Sequence, residues 1–202
     1  DLERLRAALN GEHVERVDLE MLKRLPQELR ENGRRLRVVV RDKELNGFIA
    51  SGRRPLGLAV DLGTTNIAAS VIDLESGTCL AESGIDNPQA AFGADLISRI
   101  NHAIRTGNGA LELHAATVGA ITGLAAELCE AAGAHPEEIV DIALCGHTAM
   151  HHLLLELPVG QLGRAPFVPA SCAPLDLKAR DLGLAFLPGA WLHVMPNIGG
   201  FV

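Results

Sequence analysis

A chain of 202 residues holds one large domain or two small ones, and 48% hydrophobic residues with only 3% aromatics demand an aliphatic, alanine-rich core. The formal charge of −7 is unevenly spread: residues 1–54 carry a balance of +3 and residues 55–202 one of −10. The acidic larger part excludes a nucleic-acid groove, whose phosphates demand clustered positive charge.

The composition break falls near Ser51-Gly52-Arg53-Arg54-Pro55 and divides the chain into residues 1–54 and 55–202. No apolar run stands out at the length of a membrane span. The start, Asp1-Leu2-Glu3-Arg4-Leu5-Arg6, lacks the apolar core of a signal peptide. The expectation is a cytoplasmic protein that does not engage a membrane. The four cysteines, Cys79, Cys129, Cys145 and Cys172, form no Cys-x-x-Cys pair and read as isolated, buried thiols in a reducing compartment.

In chain order, Leu2, Leu5 and Leu9 recur at helical spacing and Gly11 breaks the pattern. Asp18 can cap a second helix through Leu19, Leu22 and Leu25, and Pro26 interrupts it or starts another turn. Leu36 to Arg41 is a β-branched strand; Lys43-Glu44-Leu45-Asn46-Gly47 is read as the turn, and Phe48-Ile49-Ala50 as the returning partner. Residues 1–54 thus form a small α+β domain without a catalytic constellation.

From Leu56 the chemistry begins. Leu56 to Val60 is a short apolar run that ends on Asp61; Gly63 frees a bend, and Ile67 to Ile72 is apolar again. Strand, tight turn and strand expose one carboxylate, one glycine and the hydroxyls of Thr64 and Thr65. Backbone N–H groups at such a turn can form an anion-binding concavity. Asp61 cannot bind a phosphate directly, since both are negative, but it can hold Mg²⁺ through water. A plain hairpin turn is the bland alternative. Neither a P-loop nor a Rossmann fingerprint is present, because no Gly-Lys-Ser/Thr and no helix follow the glycine.

Thr78 to Ala81 is a third strand, and Asn87 to Phe92 a loop. Ala94 to Ile104 should be a helix with Leu96, Ile97, Ile100 and Ile104 on one face and an Asp95–Arg99 ion pair at i and i+4, for which a solvated surface pair is the bland alternative. Leu111 to Ala132 is a long helix with an apolar stripe. Ile139 to Cys145 is a buried strand that runs through Gly146-His147-Thr148 into a helix, Ala149 to Leu155. This junction is a second candidate site, to which a helix start would offer free N–H groups. His147 and His151 stand at i and i+4, but without an accompanying carboxylate no metal is expected there. Residues 157–187 read as a long ordered loop, and Leu192 to Met195 as the last strand.

Asp61-Leu62-Gly63-Thr64-Thr65 resembles the first phosphate motif of the actin, heat-shock chaperone and sugar-kinase ATPase superfamily. With Gly57 to Thr65, Asn87-Pro88-Gln89, Gly93 to Ile100, Met150 to Leu155, Ala165 to Pro169 and Pro196 to Val202 in order, nearly the whole chain resembles the reductive activators of corrinoid proteins. The resemblance implies an α/β fold: the first lobe of an actin-like (ribonuclease H-like) ATPase, preceded by a small α+β middle domain. It implies ATP and Mg²⁺ as cofactors, held by Asp61, Gly63, Thr64, Thr65, Asn66, Gly146, His147 and Thr148, with Asp61 reaching the Mg²⁺ through water. It assigns no catalytic base.

The implied activity is reduction of an inactive cobalt(II) corrinoid protein to cobalt(I), with a corrinoid protein or corrinoid methyltransferase system as partner and a homodimer left open. The iron–sulfur cluster, the second lobe and the adenosine pocket are expected in parts of the family outside these residues, so that this chain alone would be nearly inactive. Where the family reads Gly-Asn-Thr-Thr-Met, this chain reads Gly146-His147-Thr148-Ala149-Met150. Two rivals stay open: an ATP-driven activator of the acyl-CoA dehydratase type, and a non-catalytic interaction module with the actin-like fold.

Overall fold

The structure is a computed structural model and describes residues 1–9, 13–33 and 35–199. The break expected at Gly11, and Gly200 to Val202 of the last motif block, lie outside the described residues.

The first unit packs two helices, α1 (Leu2–Ala8) and α2 (Leu19–Glu31), on a three-stranded sheet of β1 (Arg16–Val17), β2 (Leu36–Arg41) and β3 (Glu44–Ala50), in the order β1-β3-β2. Asp18 caps α2, accepting the Glu20 and Met21 N–H groups. The structure adds two details to the sequence reading of α2. The helix runs through Pro26, and its inner face carries Met21 and Leu25, with Leu29 packed beside them, while Leu19 and Leu22 are 61% and 40% exposed. Met21 and Leu25 are one turn apart and face β3; Leu22 lies about 100° further round the helix.

The turn between β2 and β3 is also displaced. Asp42 and Lys43 take positive φ and make the turn, whereas Asn46 and Gly47 lie inside β3. Gly47 is a glycine for packing: a Cβ there would overlap the Leu187 side chain.

The second unit is a six-stranded mixed sheet, β4 (Leu56–Leu62), β5 (Asn66–Asp73), β6 (Cys79–Asp86), β7 (Ile139–Gly146), β8 (Leu175–Lys178) and β9 (Trp191–Val194), ordered β6-β5-β4-β7-β9-β8. β4, β5 and β6 form an antiparallel meander; β7 runs parallel to both β4 and β9. The helices α3 (Leu96–Arg105) and α4 (Gly109–Ala131) carry the chain from β6 to β7, and α5 (Thr148–Leu154) leaves the end of β7. The core joins Leu58, Val60, Ile67, Val71, Ile121, Leu124, Leu128, Ile142 and Leu144, mostly aliphatic as the composition demands, with Phe186 also buried in it.

By length and composition α4 is apolar enough to cross a membrane, which corrects the reading that no segment is. Here it lays Leu113, Thr117, Ile121, Leu124 and Leu128 against the structure, with β5 and β6 as its sheet neighbours. On α3, Ile97 and Ile104 turn outward, and Ile100 and Arg99 turn in. Residues 157–187 are more structured than a loop, holding β8 and short 3-10 turns at Gly160–Gly163 and Ala179–Leu182. Of the cysteines only Cys129 is buried, its thiol pushed up to about 11 by burial and by Glu138; Cys79, Cys145 and Cys172 are exposed.

A charged clasp joins the units. Asp18 takes both terminal nitrogens of Arg180, at 2.9 and 2.8 Å, and lies 3.8 Å from Lys178. The Lys178 ammonium reaches Glu44 at 3.2 Å and Asn46 at 2.6 Å, and stands 4.0 Å over the Trp191 ring. Arg41 bridges to Asp141 on β7 and Asp176 on β8. Arg53 and the Arg54 N–H meet Glu138 just before β7.

Candidate phosphate turn

Parallel pairing of β4 with β7 fixes the geometry. Asp61 stands opposite Cys145, and Leu62 opposite Gly146, so the two loops that follow leave the same edge of the sheet. Gly63 to Thr65 and Gly146 to Thr148 are therefore neighbours, although some eighty residues separate them in sequence. Asp61 and Thr65 are exposed, and Gly63, Thr64, Gly146 and His147 are half-buried. Although Cys145 is exposed as a residue, its thiol is partly buried against the Val60 carbonyl, and that partial burial, with the Asp61 carboxylate after it, pushes the thiol up.

Both glycines are dictated by close approach. A Cβ on Gly63 would stand 2.6 Å from the Asn66 carbonyl oxygen, and one on Gly146 would stand 2.8 Å from that of Leu62. The bend at Gly63 therefore does not rest on a left-handed φ; the backbone of the following strand leaves no room for a side chain.

Beneath the turn, three carbonyl oxygens are held by the rest of the lobe. Asn87 Nδ2 donates to the Gly63 oxygen at 2.8 Å, Arg99 Nη1 to the Thr64 oxygen at 2.7 Å, and the Asn87 N–H to the Thr65 oxygen at 2.7 Å. Asn87 is itself fixed as the cap of the 3-10 turn Pro88–Phe92, accepting the Gln89 N–H. Gln89 in turn donates to Leu113 and Thr117 of α4. Arg99 also donates from Nε to the Gly93 oxygen at 2.9 Å. The Met150 sulfur of α5 lies 3.8 Å from both Asn87 Nδ2 and Arg99 Nη1, which ties the second loop's helix to the floor of the first.

The residues singled out in sequence divide into those that share the turn and those that do not. Asp61, Gly63, Thr64 and Thr65 line it. The Asn66 side chain turns to Asp86 on β6, at 3.1 Å. His147 caps α5, its Nδ1 accepting the Ala149 N–H at 3.3 Å. Thr148 is 2% exposed, and its buried hydroxyl meets no hydrogen-bonding partner among the described residues. α5 has only seven residues.

His151 is buried beside His152, the two Nδ1 atoms 3.4 Å apart, and burial together with His152 pushes it down to about 4. Among the described residues no group of three or more His, Cys, Asp or Glu side chains is placed to hold a metal. The Asp95–Arg99 ion pair does not form. Asp95 spends its carboxylate on the N-terminal capping box of α3, and Arg99 points inward.

Asn87 and Arg99 are not among the site residues named from the sequence, although both lie in blocks that carry the family resemblance. Their signals were an Asn before a Pro at a turn start, and a charge set in the apolar stripe between Leu96 and Ile100.

The fold defines the class first: an α/β lobe, consistent with the first lobe of an actin-like fold, behind a small α+β unit. Residues 56–202 match the family described as RACo middle region, and residues 1–51 match the RACo linker region. The chain belongs to the RACo family and carries these two regions of it. The word "middle" thus falls on residues 56–202, where the resemblance had put it on the first unit.

The corrinoid activation enzyme RamQ of Eubacterium limosum is 33% identical over 171 residues, a match that covers 83% of this chain and 29% of that one. A solved structure of a reductive activator for corrinoid, iron-sulfur protein superposes with a TM-score of 0.82 at 32% identity, covering 100% of this chain and 33% of the other. The chain spans about a third of the length of both.

Proposed function

We propose that this chain supplies the first phosphate-binding half of an ATP-dependent reductive activator, whose complete form returns inactive cobalt(II) corrinoid proteins to cobalt(I). Family membership and the two corrinoid-activating relatives support the overall activity. Residues 1–54 and 55–202 are its two structural units.

The single observation that carries the site is the direction of the carbonyls. The Gly63 and Thr64 oxygens are drawn into the lobe by Asn87 and Arg99. In a trans peptide the N–H points opposite to the C=O. The Thr64 and Thr65 N–H groups therefore point away from the lobe, as an anion-binding nest requires. Asp61, exposed at the end of β4, adds the carboxylate that a hydrated Mg²⁺ would take.

The residues present fit Mg²⁺-ATP at its phosphate end, with Gly63, Thr64 and Thr65 holding the phosphates and Asp61 the metal through water. Gly146 and His147 border the same space from β7, and Asn66 and Thr148 support it at a remove. When bound, the nucleotide supplies free energy for an unfavourable electron transfer by favouring one conformation over another. The partner is a corrinoid protein, and the electron enters through an iron–sulfur cluster outside this chain.

The test is Asp61→Asn in the complete protein. It keeps size and removes charge, so the melting temperature should hold while ATP hydrolysis falls about 100-fold, as loss of preorganised charge in a site does. Corrinoid reduction falls with it. An unchanged rate in folded protein would make Asp61 a turn residue only.

A further inference from the structure

Among the described residues, Arg99 is the buried charge of this lobe that has no opposite. It is 1% exposed, yet its polar contacts among the described residues are the Gly93 and Thr64 carbonyl oxygens and the Met150 sulfur. No carboxylate lies within ion-pairing distance of it among the described residues, and Asp95, one turn earlier, is exposed and engaged with Ser98. A buried cation is expensive unless it is paired, and an apolar side chain of similar volume generally packs there at less cost. Retaining a guanidinium under the turn therefore points to a role for its charge and its forked geometry.

We infer that Arg99, together with Asn87, is the positioning pair of the phosphate turn, and that Arg99 supplies the positive charge for the anion bound on the turn's outer face. This deepens the proposed function and rests on it. Asn87 fixes the outer two carbonyls of the turn and Arg99 the central one, so the three peptide planes are set before any ligand arrives. Preorganisation of this kind strengthens anion binding because no donor has to be reoriented on binding. The guanidinium sits behind the Thr64–Thr65 peptide. In that low-dielectric setting its field reaches the outer face with little screening. The ligand phosphate would be the counter-ion that the chain itself does not provide. Arg99 touches the turn and not the ligand, so it acts through Thr64. Gly93 belongs to the same device: a Cβ there would stand 2.7 Å from the Arg99 N–H nitrogen and lift α3 off the turn.

The experiment compares Arg99→Met, Arg99→Lys and Asn87→Ala with Ile100→Ala in the complete protein. Ile100 is the buried neighbour of Arg99 on α3 and has no part in the turn. Two quantities are read: affinity for Mg²⁺-ATP by calorimetry, and hydrogen exchange of the peptide that spans residues 61–67.

Arg99→Met and Ile100→Ala should both lower the melting temperature. Only Arg99→Met should weaken Mg²⁺-ATP, by about 100-fold, and speed exchange across the turn. Arg99→Lys keeps the charge but can serve only one of the two carbonyls well, so it should lose about 10-fold. If Arg99→Met does not fold, Arg99→Lys and Asn87→Ala carry the same comparison. Wild-type affinity in Arg99→Met, or equal losses in Ile100→Ala, overturns the inference while the nucleotide site stands. If the unmodified protein binds no Mg²⁺-ATP, the proposed function fails. The positioning role is then decided by exchange alone: faster exchange in Arg99→Met retains it, and unchanged exchange removes it.

Discussion

At the clasp between the two units, every buried charge meets its opposite inside the chain. Under the proposed phosphate turn, the buried charge meets only carbonyl oxygens and a sulfur among the described residues. Asp18, Glu44, Lys178 and Arg180 neutralise one another within 4 Å, and Trp191 closes one side. Burial alone would push the Asp18 carboxyl up, but Arg180, then Lys178 and the Glu20 N–H, outweigh it and hold it below the usual carboxylate range. Burial pushes Arg99 down, and distant Asp95 opposes it only weakly. The two regions should therefore respond differently to substitution.

The largest effect is expected at the clasp. Asp18→Ala leaves Lys178 and Arg180 facing each other and uncaps α2, so it should cost about 3–5 kcal/mol, the usual penalty for breaking a buried pair from one side. Asp18→Asn keeps a cap and should cost less. Denaturant melts of both variants check this, and a loss under about 1 kcal/mol would place the clasp among surface pairs.

His151 comes next, as a third kind of buried group, held neutral. It ordinarily titrates near 6.5 and here near 4. Between those values the unfolded chain takes up a proton that the folded chain refuses. Stability therefore falls as pH drops from 6.5 towards 4, by about 1.4 kcal/mol per pH unit. Burial depresses His152 as well and adds in the same direction. His151→Gln should flatten the slope between pH 6.5 and 4.5 in urea melts; an unchanged slope assigns the acid sensitivity elsewhere.

The smallest effect is expected at Arg37 and Glu75, an exposed pair 3.0 Å apart that also spans the two units. Glu75→Ala should change stability by less than about 0.5 kcal/mol, and raising salt should remove even that. A larger loss would mean that the interface draws on its rim as well as on the Lys178 clasp.

The sequence made the lobe legible where a strand had to be buried. Leu56 to Val60, Ile67 to Ile72 and Ile139 to Cys145 are apolar runs with clear stops, and the structure has β4, β5 and β7 there. It misled where a local signal had a tertiary explanation. Asn46-Gly47 looks like a hairpin turn, yet Gly47 makes room for Leu187, and Asn46 serves Lys178 and Trp191. Arg99 looks like the partner of Asp95 one turn away, yet its position in the stripe with Ile100 takes it under the sheet edge. β8 stayed hidden because four residues of mixed character carry no period. The turn itself was legible from Asp61, Gly63, Thr64 and Thr65. Its supports were not, because Asn87 and Arg99 reach it only after β4, β5 and α3 have come together.

The strand order has a consequence for how this protein meets copies of itself. The two outermost strands of the larger sheet are β6 and β8, where unpaired backbone groups could recruit another chain and seed aggregates. Neither invites it. β6 carries Glu82 and Asp86, charges that repel an identical strand laid alongside. β8 is four residues long, and its Asp176 and Lys178 are already tied to Arg41 and Glu44 of the first unit. Growth of the sheet by strand addition is thus blocked at one end by like charge and at the other by the molecule's own smaller unit.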